Sequence, residues 1–361
     1  MKKNSLASIE LAAVINELQF LKKGKISQIY HQNEELLLQL HAPGQGKQLL
    51  KIVPGKLLCL TKDKNPPVRP SGFCMQLRKY LDHAFIKDLY QKEAERIVVF
   101  ELEKEETHYL IIELFSKGNI ILTDARFMAI GVLEQQLWKD RSVKAKHPYT
   151  FPAPGINWKI ISLGDFEKIL KKSDRKNLAT TLATEINLGG VYAEELCIRA
   201  EVDKNEAAAK LDSKKIKLLY SEIKEMQKQI QQPKGYIYDE QITPFPLLNR
   251  TAKQVTETYN EAVNLLKPFQ RTSPFDNKIA NFQRRITEQQ DAIAALEEKI
   301  ILNKRKGELI YEKYASLQKL LEIVSQLKKT KTWKEIASEL QKEKKIKKID
   351  LKTKTISLDL Q

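Results

Sequence analysis

Short hydrophobic segments, some alternating with polar positions and some unbroken, fill the first 155 residues between turn signals, a pattern typical of strands. A helix is predicted ahead of them over residues 5–21, because Leu11, Val14 and Leu18 recur at helical spacing and Gly24 ends the pattern. Turn-forming pairs such as Pro43-Gly44 separate the later segments. The predicted strands are 25–31, 36–41, 49–53, 57–61, 96–102, 109–115, 120–123 and 129–133, and a short helix is predicted over 73–81.

A helical pattern takes over after the linker 152–155. Ser162 is expected to cap the first helix, since Asp165 follows three residues later. Helical segments are predicted throughout 162–231, and Leu188-Gly189-Gly190 should separate two of them. The predicted elements that follow this turn are helices over 204–211 and 214–230, an extended stretch over 236–250 and a helix over 255–266.

From Ile279 to Val324 hydrophobic residues alternate at spacings of three and four, which is a heptad repeat. Ser273-Pro274 supplies an N-cap and a first-turn proline. Two interpretations stay open, a coiled coil that needs a partner and a long helix that packs on its own protein. Polar or small residues interrupt the hydrophobic face at Gln289, Asn303 and Gly307. A short helix over 333–340 and strands around Ile349 and Ile356 are predicted at the end.

These patterns predict an α+β fold class with several domains. The predicted boundaries are an α+β domain over 1–158, a helical domain over 159–232, an extended segment with a returning helix over 233–272, and a coiled-coil domain over 273–361.

The net charge of the chain indicates a class of binding partner. The chain of 361 residues has a formal net charge of +16. Residues 301–361 hold 16 Lys and Arg residues against 8 Asp and Glu residues, which is half of the excess. A basic excess favours polyanions, because each phosphate that is neutralised releases counterions. A lysine-rich solvated surface is the competing explanation.

Other chemistry is absent from the sequence. No apolar run approaches the roughly 20 residues that span a bilayer, and the amphipathic start lacks the hydrophobic region of a secretory signal. The three cysteines are far apart, and no phosphate-binding loop or hydrolase motif is found. We therefore expect a cytoplasmic protein, with no membrane partner, no metal, no cofactor and no enzymatic activity of its own.

Several strings together carry a resemblance. They are residues 70–81 (PSGFCMQLRKYL), 95–100 (ERIVVF), 113–124 (ELFSKGNIILTD) and 188–197 (LGGVYAEELC). In this order they resemble the NFACT family, which includes the RqcH and NEMF types. The resemblance covers essentially the whole chain and implies an NFACT-N α+β domain, similar to the N-terminal domain of formamidopyrimidine-DNA glycosylases. A helix-hairpin-helix domain and the first arm and tip of a coiled-coil middle domain are expected after it.

The family resemblance implies a role in ribosome-associated quality control. Such proteins bind a stalled large ribosomal subunit that carries peptidyl-tRNA, contact rRNA, and recruit tRNA for C-terminal tailing of the nascent chain. In bacterial and archaeal-type members the tail is mainly alanine, so alanyl-tRNA is the expected partner. Family members usually continue through a second coiled-coil arm into an NFACT-R domain, whereas this sequence ends at Gln361 before both.

The first candidate RNA-binding residues are Glu95 and Arg96, which match the family's Asp-Arg pair with a longer carboxylate. From residue type alone, a salt bridge at the start of a strand is the favoured interpretation of this pair, and the resemblance reverses that preference. Arg96 has the donor fork that suits a phosphate or a base edge.

Further candidates combine cations with aromatic rings or offer backbone amides. Gly189 and Gly190 can bring amides close to a phosphate, or they are a plain helix cap. The remaining candidates are Arg78, Lys79, Asn119, Arg141 and Lys144. For the cations, a solvated basic face is an equally good explanation.

Three rival functions are considered. A DNA- or RNA-binding relative of the glycosylases is one, but those enzymes have an N-terminal proline nucleophile followed by a glutamate, whereas here Met1 is followed by Lys2 and Lys3. A fibronectin-binding surface adhesin is the second, and no signal peptide or anchor is found for it. A structural coiled-coil adaptor is the third.

Overall fold

The computed structural model describes residues 5–64, 69–138, 141–239, 241–266, 274–340, 346–350, 353 and 355–358. The chain divides into two compact units, 1–270 and 271–361, which are treated separately below. No helix in the described part of the chain is long and apolar enough to cross a membrane.

The helices of the first unit are α1 Ser8–Glu17, α2 Gly72–Leu81, α3 Leu163–Lys172, α4 Leu178–Thr184, α5 Gly190–Arg199, α6 Ser213–Gln229 and α7 Tyr259–Asn264. Short 3-10 turns cover Leu18–Leu21 and Ala208–Lys210. The strands of this unit are β1 Lys25–Gln32, β2 Glu35–Ala42, β3 Gly46–Val53, β4 Leu57–Leu60, β5 Phe85–Gln91, β6 Ile97–Glu103, β7 Thr107–Glu113, β8 Asn119–Asp124, β9 Ala129–Val132, β10 Gln136–Leu137, β11 Ser142–Val143, β12 Gly235–Ile237, β13 Ile242–Thr243 and β14 Gln254–Thr256.

Among the described residues, nine strands form one antiparallel sheet in the order β4-β3-β2-β1-β5-β6-β7-β8-β9. Strands β6, β7 and β8 are buried on both faces. Val98 and Phe100 belong to the main hydrophobic core, together with α1 and the helices after residue 160. Ile97 and Val99 belong to a second hydrophobic cluster that includes Tyr149. Burial on both faces explains why these strands appear in the sequence as unbroken apolar runs.

Two glycines lock the turns at one end of the sheet. The amide of Gly55 donates to the carbonyl of Glu113 over 3.0 Å. A Cβ added to Gly118 would lie 1.9 Å from the Gly55 nitrogen. Gly118 has a φ of +75°, where residues with side chains are strained. The turn between β3 and β4 and the turn after β7 therefore touch backbone to backbone.

Helix α1 connects the sheet to the helical part of the first unit. Its residues from Ser8 to Ile15 are all buried, so it is enclosed on every side. At its end, Glu17 accepts hydrogen bonds from the amides of Tyr259 and Asn260 at 2.7 and 2.8 Å, which caps α7. Burial raises the pKa of Glu17, and these hydrogen bonds oppose the rise.

The α+β class predicted from the pattern is confirmed. One strand was missed, one predicted helix is wrong and one is shorter than predicted. Strand β5 was not predicted, because a register shift between Ile86 and Asp88 breaks the alternation. The predicted helix over 204–211 is only a 3-10 turn, because the carbonyls of Lys204 and Glu206 accept from the first amides of α4. The helix predicted over about 255–266 is confirmed as α7 over Tyr259–Asn264, but residues 255 and 256 belong to β14, which pairs with β12.

The second unit contains α8 Pro274–Glu312, α9 Tyr314–Thr330, α10 Trp333–Leu340, β15 Ile346–Asp350 and β16 Thr355–Leu358. Helix α8 runs unbroken through Gln289, Asn303 and Gly307, and the helical backbone breaks at Lys313 instead. The predicted short helix and the two strands at the end are confirmed. Ser273 lies outside the described residues, and partnering of the heptad face stays a prediction.

Candidate functional site

The turn between β5 and β6 carries Glu95 and Arg96, and its backbone is held from two distant parts of the chain. The carbonyl of Ala94 accepts a hydrogen bond from the hydroxyl of Ser8, at the start of α1. The same carbonyl accepts from Nδ2 of Asn187, between α4 and α5, over 3.2 Å. One acceptor directly before the pair is thus fixed by both α1 and the helical part of the unit.

The peptide groups around Arg96 are fixed as well. Nε2 of Gln91 donates to the carbonyl of Glu95 over 2.9 Å. The amide of Leu114 donates to the carbonyl of Arg96 over 2.8 Å. These contacts leave the backbone of Arg96 little freedom, so its side chain starts from a defined position.

The guanidinium of Arg96, in contrast, has no hydrogen-bond or ion-pair partner in the part of the chain that the structure describes. The side chain is half-buried. Burial lowers the pKa of Arg96, and the negative charges of Glu95 and Glu10 oppose this effect. Arginine remains protonated in proteins, so the charge stays and carries a desolvation cost. Five N–H donors are therefore available to a ligand in a defined place.

The carboxylate of Glu95 is bound to the linker rather than to its neighbour. Its Oε1 accepts a hydrogen bond from the amide of Gly155 over 2.7 Å. A Cβ on Gly155 would lie 3.1 Å from the same oxygen, so the linker approaches closely. The salt bridge that residue types favour for Glu95 and Arg96 is not formed.

An open cavity of about 460 Å³ lies on the Glu95 side of the turn. The rings of Tyr109 and Phe127 stack with centroids 4.6 Å apart, and Phe151 meets Phe127 edge-on at 5.7 Å. Nζ of Lys92 lies 5.2 Å from the centroid of the Phe151 ring. The lining residues are Lys92, Glu93, Glu95, Ile97, Phe127, Tyr149, Thr150, Phe151, Pro152, Ala153 and Pro154. Aromatic walls beside a cation and a carboxylate suit a flat ring with polar edges.

Arg141 is bound by protein groups at two of its nitrogens and at its face. Its Nη2 binds Oε1 of Glu113, and its Nε donates to the carbonyl of Thr150 over 2.6 Å. The guanidinium carbon also lies 4.9 Å from the ring centroid of Tyr149. The hydroxyl of Tyr149 donates to the same carboxylate oxygen over 2.9 Å. Burial and the charge of Glu113 raise the pKa of Tyr149, which keeps this hydroxyl protonated.

Two more predicted residues are bound to the backbone of neighbouring elements. Asn119 is fully buried, and its amide exchanges hydrogen bonds with the backbone of Glu134 at 2.8 and 3.1 Å. Nε and Nη2 of Arg78 both donate to the carbonyl of Ile29, at 2.8 and 2.6 Å.

The other two lysine candidates are less constrained. Lys79 is exposed beside Tyr80, with its Nζ 5.5 Å from the ring centroid. Lys144 is half-buried.

Gly189 and Gly190 form the start of α5 as predicted, and Gly189 has a φ of +80°. A Cβ on Gly189 would lie 3.9 Å from the Cβ of Ala7, at the start of α1. Together with the Asn187 contact, this places the glycine turn near the Arg96 turn. Neither Asn187 nor the cavity is predicted from the sequence. The sequence feature that could have indicated Asn187 is its position directly before Leu-Gly-Gly, because asparagine tolerates a left-handed backbone conformation.

A family described as NFACT N-terminal and middle domains matches residues 8–359. The chain belongs to the NFACT family. It is 26% identical over 363 residues to the archaeal Rqc2 homolog aRqcH of Methanocaldococcus jannaschii, covering 92% of this chain and 54% of that protein. It is also 33% identical over 135 residues to the human ribosome quality control complex subunit NEMF, covering 36% of this chain and 12% of NEMF.

Solved structures share the NFACT fold of this chain. The N-terminal part of a fibronectin/fibrinogen-binding protein from Streptococcus suis superimposes with a TM-score of 0.59 at 21% identity, over 72% of this chain and 98% of that one. The chain spans about half the length of the archaeal relative and much less of NEMF. The names of these relatives associate the NFACT family with ribosome quality control.

Proposed function

We propose that this NFACT chain is the RNA-binding part of a ribosome-associated quality-control factor. In this proposal it binds stalled large ribosomal subunits with peptidyl-tRNA and recruits tRNA for alanine-type tailing of the nascent chain. Bond formation is left to the ribosome, so the protein acts by positioning tRNA in the cytoplasm. Support comes from the relatives named for ribosome quality control and from the Arg96 turn.

The observation that carries the proposal is the difference between the backbone of Arg96, which is fixed, and its side chain, which is not. Its backbone is fixed by neighbours, whereas its half-buried guanidinium has no partner among the described residues. A desolvated charge without a partner costs stability, so a fold that retains one must gain something from it. A phosphate or the edge of a base satisfies a guanidinium fork with two parallel hydrogen bonds.

The cavity next to Glu95 suggests how an unpaired nucleotide fits. Phe127 and Phe151 offer aromatic surfaces for a base, and stacking of this kind contributes about 1–3 kcal/mol per base. Lys92 lines the same cavity with its Nζ 3.6 Å from Oε1 of Glu93, and in this proposal a phosphate replaces that carboxylate as its partner. Unstacked bases of this type occur in RNA loops rather than in duplexes, which favours a tRNA loop over double-stranded nucleic acid.

The net charge of +16 supports the same partner class. In the second unit, α8 alone has 39 residues, which corresponds to a rod of about 60 Å at 1.5 Å per residue. An arm of this length, followed by a lysine-rich end, is suited to reach across a large RNA surface.

Two measurements test the proposal. Affinity for a labelled tRNA should fall by roughly 10- to 1000-fold between 50 and 200 mM salt if several phosphates are contacted. In a sucrose gradient of crosslinked lysate, the chain should move with large subunits and not with small ones. A tRNA affinity that ignores salt, or association with small subunits alone, would show that the proposal is wrong.

A further inference from the structure

Asn187 occupies a constrained place between α4 and α5. Its φ of +64° lies in the left-handed region, which asparagine adopts more readily than most residues. The chain turns here towards Gly189, whose amide donates to the carbonyl of Ala183 over 3.1 Å. The amide of Leu188 likewise donates to the carbonyl of Leu182 over 3.3 Å, so α4 holds the two residues after Asn187 without help from the Asn187 side chain.

That side chain reaches the Arg96 turn. Nδ2 of Asn187 donates to the carbonyl of Ala94 over 3.2 Å. It also lies 3.8 Å from the point where a Cβ on Gly155 would sit, beside the contact between Gly155 and Glu95. One amide from the helical segment therefore meets both the turn and the linker that Glu95 holds.

We propose that Asn187 is a positioning residue for Arg96, and this rests on the proposed RNA-binding function. Ala94 lies two residues before Arg96, so its carbonyl sets the orientation of the peptide that leads into the arginine. Ser8 holds the same carbonyl from α1. Asn187 holds this carbonyl from the helical segment as well. We therefore expect it to fix the position of the Arg96 guanidinium relative to the glycine turn at Gly189 and Gly190. A donor fork that is fixed before binding loses less entropy when RNA arrives.

The competing explanation is that Asn187 serves only its own left-handed turn. Two substitutions separate the explanations. Asn187→Gly keeps a residue that adopts a positive φ freely, but it removes the amide donor. Asn187→Asp keeps size and backbone preference, but it places a carboxylate against the Ala94 carbonyl and near Glu95.

The test measures the affinity of the full 361-residue chain for a labelled tRNA, together with its melting temperature. Asn187→Gly should weaken binding by about 5- to 10-fold, the equivalent of one hydrogen bond, with little change in melting temperature. Asn187→Asp should weaken it at least as much. Neither change should weaken binding further in an Arg96→Ala background, because both act through the same guanidinium.

Each outcome has a distinct meaning. If the unmodified chain shows no salt-dependent tRNA binding, the proposed function fails. If the unmodified chain binds tRNA and Arg96→Ala binds it equally well, the proposed function stands, but Arg96 is not its contact and the role of Asn187 is wrong. If Arg96→Ala weakens binding but Asn187→Gly and Asn187→Asp do not, the proposed function stands and the positioning role is wrong. A loss that persists in the Arg96→Ala background also overturns the role. Should Asn187→Gly not fold, Asn187→Asp carries the same comparison.

Discussion

Two arginines in the sheet domain show how differently one residue type is used. Arg141 lies against Glu113 with side-chain exposures of 11% and 1%, so the pair is almost removed from water. Arg96 is half-buried on a turn whose backbone is fixed, and its guanidinium meets no acceptor among the described residues. Both residues were candidates for RNA binding from the sequence.

The difference lies in where the donors go. Arg141 uses Nε and Nη2 on Thr150 and Glu113 and lays its face over Tyr149, which stabilises the second hydrophobic cluster. Arg96 has its donors available and its attachment point held. A satisfied arginine supports the fold, whereas an unsatisfied arginine on a rigid turn is suited to a ligand. The following predictions test this division.

The largest effect is expected for Arg141→Ala. Removing Arg141 leaves the buried Glu113 carboxyl group without its cation and with the Tyr149 hydroxyl still donating to it, and it also deprives the Thr150 carbonyl of a donor. The free energy of unfolding should fall by about 3–5 kcal/mol. Urea denaturation measures it, with exposed Arg126→Ala as a matched control that should change stability by less than about 0.5 kcal/mol. A small loss at Arg141 would show that the pair does not support the fold.

Arg96→Ala should give the opposite result. Loss of a bidentate, charge-assisted contact corresponds to about 1.5–3 kcal/mol, or roughly 10- to 100-fold in tRNA affinity. Stability should stay the same or rise, since a desolvated charge is removed. Arg96→Lys should also lose most of the affinity, because an ammonium cannot reproduce the fork. Normal binding by Arg96→Ala together with a lower melting temperature would assign Arg96 to the fold instead.

The sequence predicted the sheet better than the site. Alternation and turn pairs located most strands, because local patterns decide which face of a strand is buried. The pattern failed over 204–211, where hydrogen bonds to the start of α4 override helix propensity. For the site, residue types favoured an ion pair between Glu95 and Arg96. The structure instead joins Glu95 to Gly155, a partner 60 residues away that no local pattern specifies.

Glu95→Asp tests whether the Glu95 carboxylate supports the fold, like Arg141, or RNA binding, like Arg96. The shorter side chain cannot maintain the 2.7 Å contact with Gly155, so stability should fall by about 1 kcal/mol, the typical value of one hydrogen bond. Glu95→Gln, which keeps an acceptor at the same reach, should lose about half as much. Because Glu95 is not paired with Arg96, tRNA affinity should change by less than about threefold. A larger change in affinity would mean that the carboxylate itself contacts RNA.

The smallest effect concerns Lys159, a second half-buried cation. Within the described residues it has no acidic partner, and its Nζ lies 5.9 Å from the ring centroid of Trp158. Burial lowers the pKa of Lys159 from 10.5 to about 8. The unfolded chain therefore binds the proton more tightly, so the cost to the fold is fully present below pH 8. It disappears as the pH rises from about 8 to about 10.5.

Lys159→Met should consequently stabilise the protein by about 1 kcal/mol at pH 7, since the side chain remains partly solvated. This advantage over the unmodified chain should shrink between pH 8 and 10.5, whereas exposed Lys217→Met should show no such trend. Melting temperatures of the three proteins across this range measure the difference, and a constant offset would show that Lys159 is not desolvated. Lysine can lose its proton to escape burial, but arginine cannot. If Lys159→Met and Arg96→Met both stabilise the fold, an unpaired cation is a cost at both places, and only the loss of tRNA binding distinguishes Arg96.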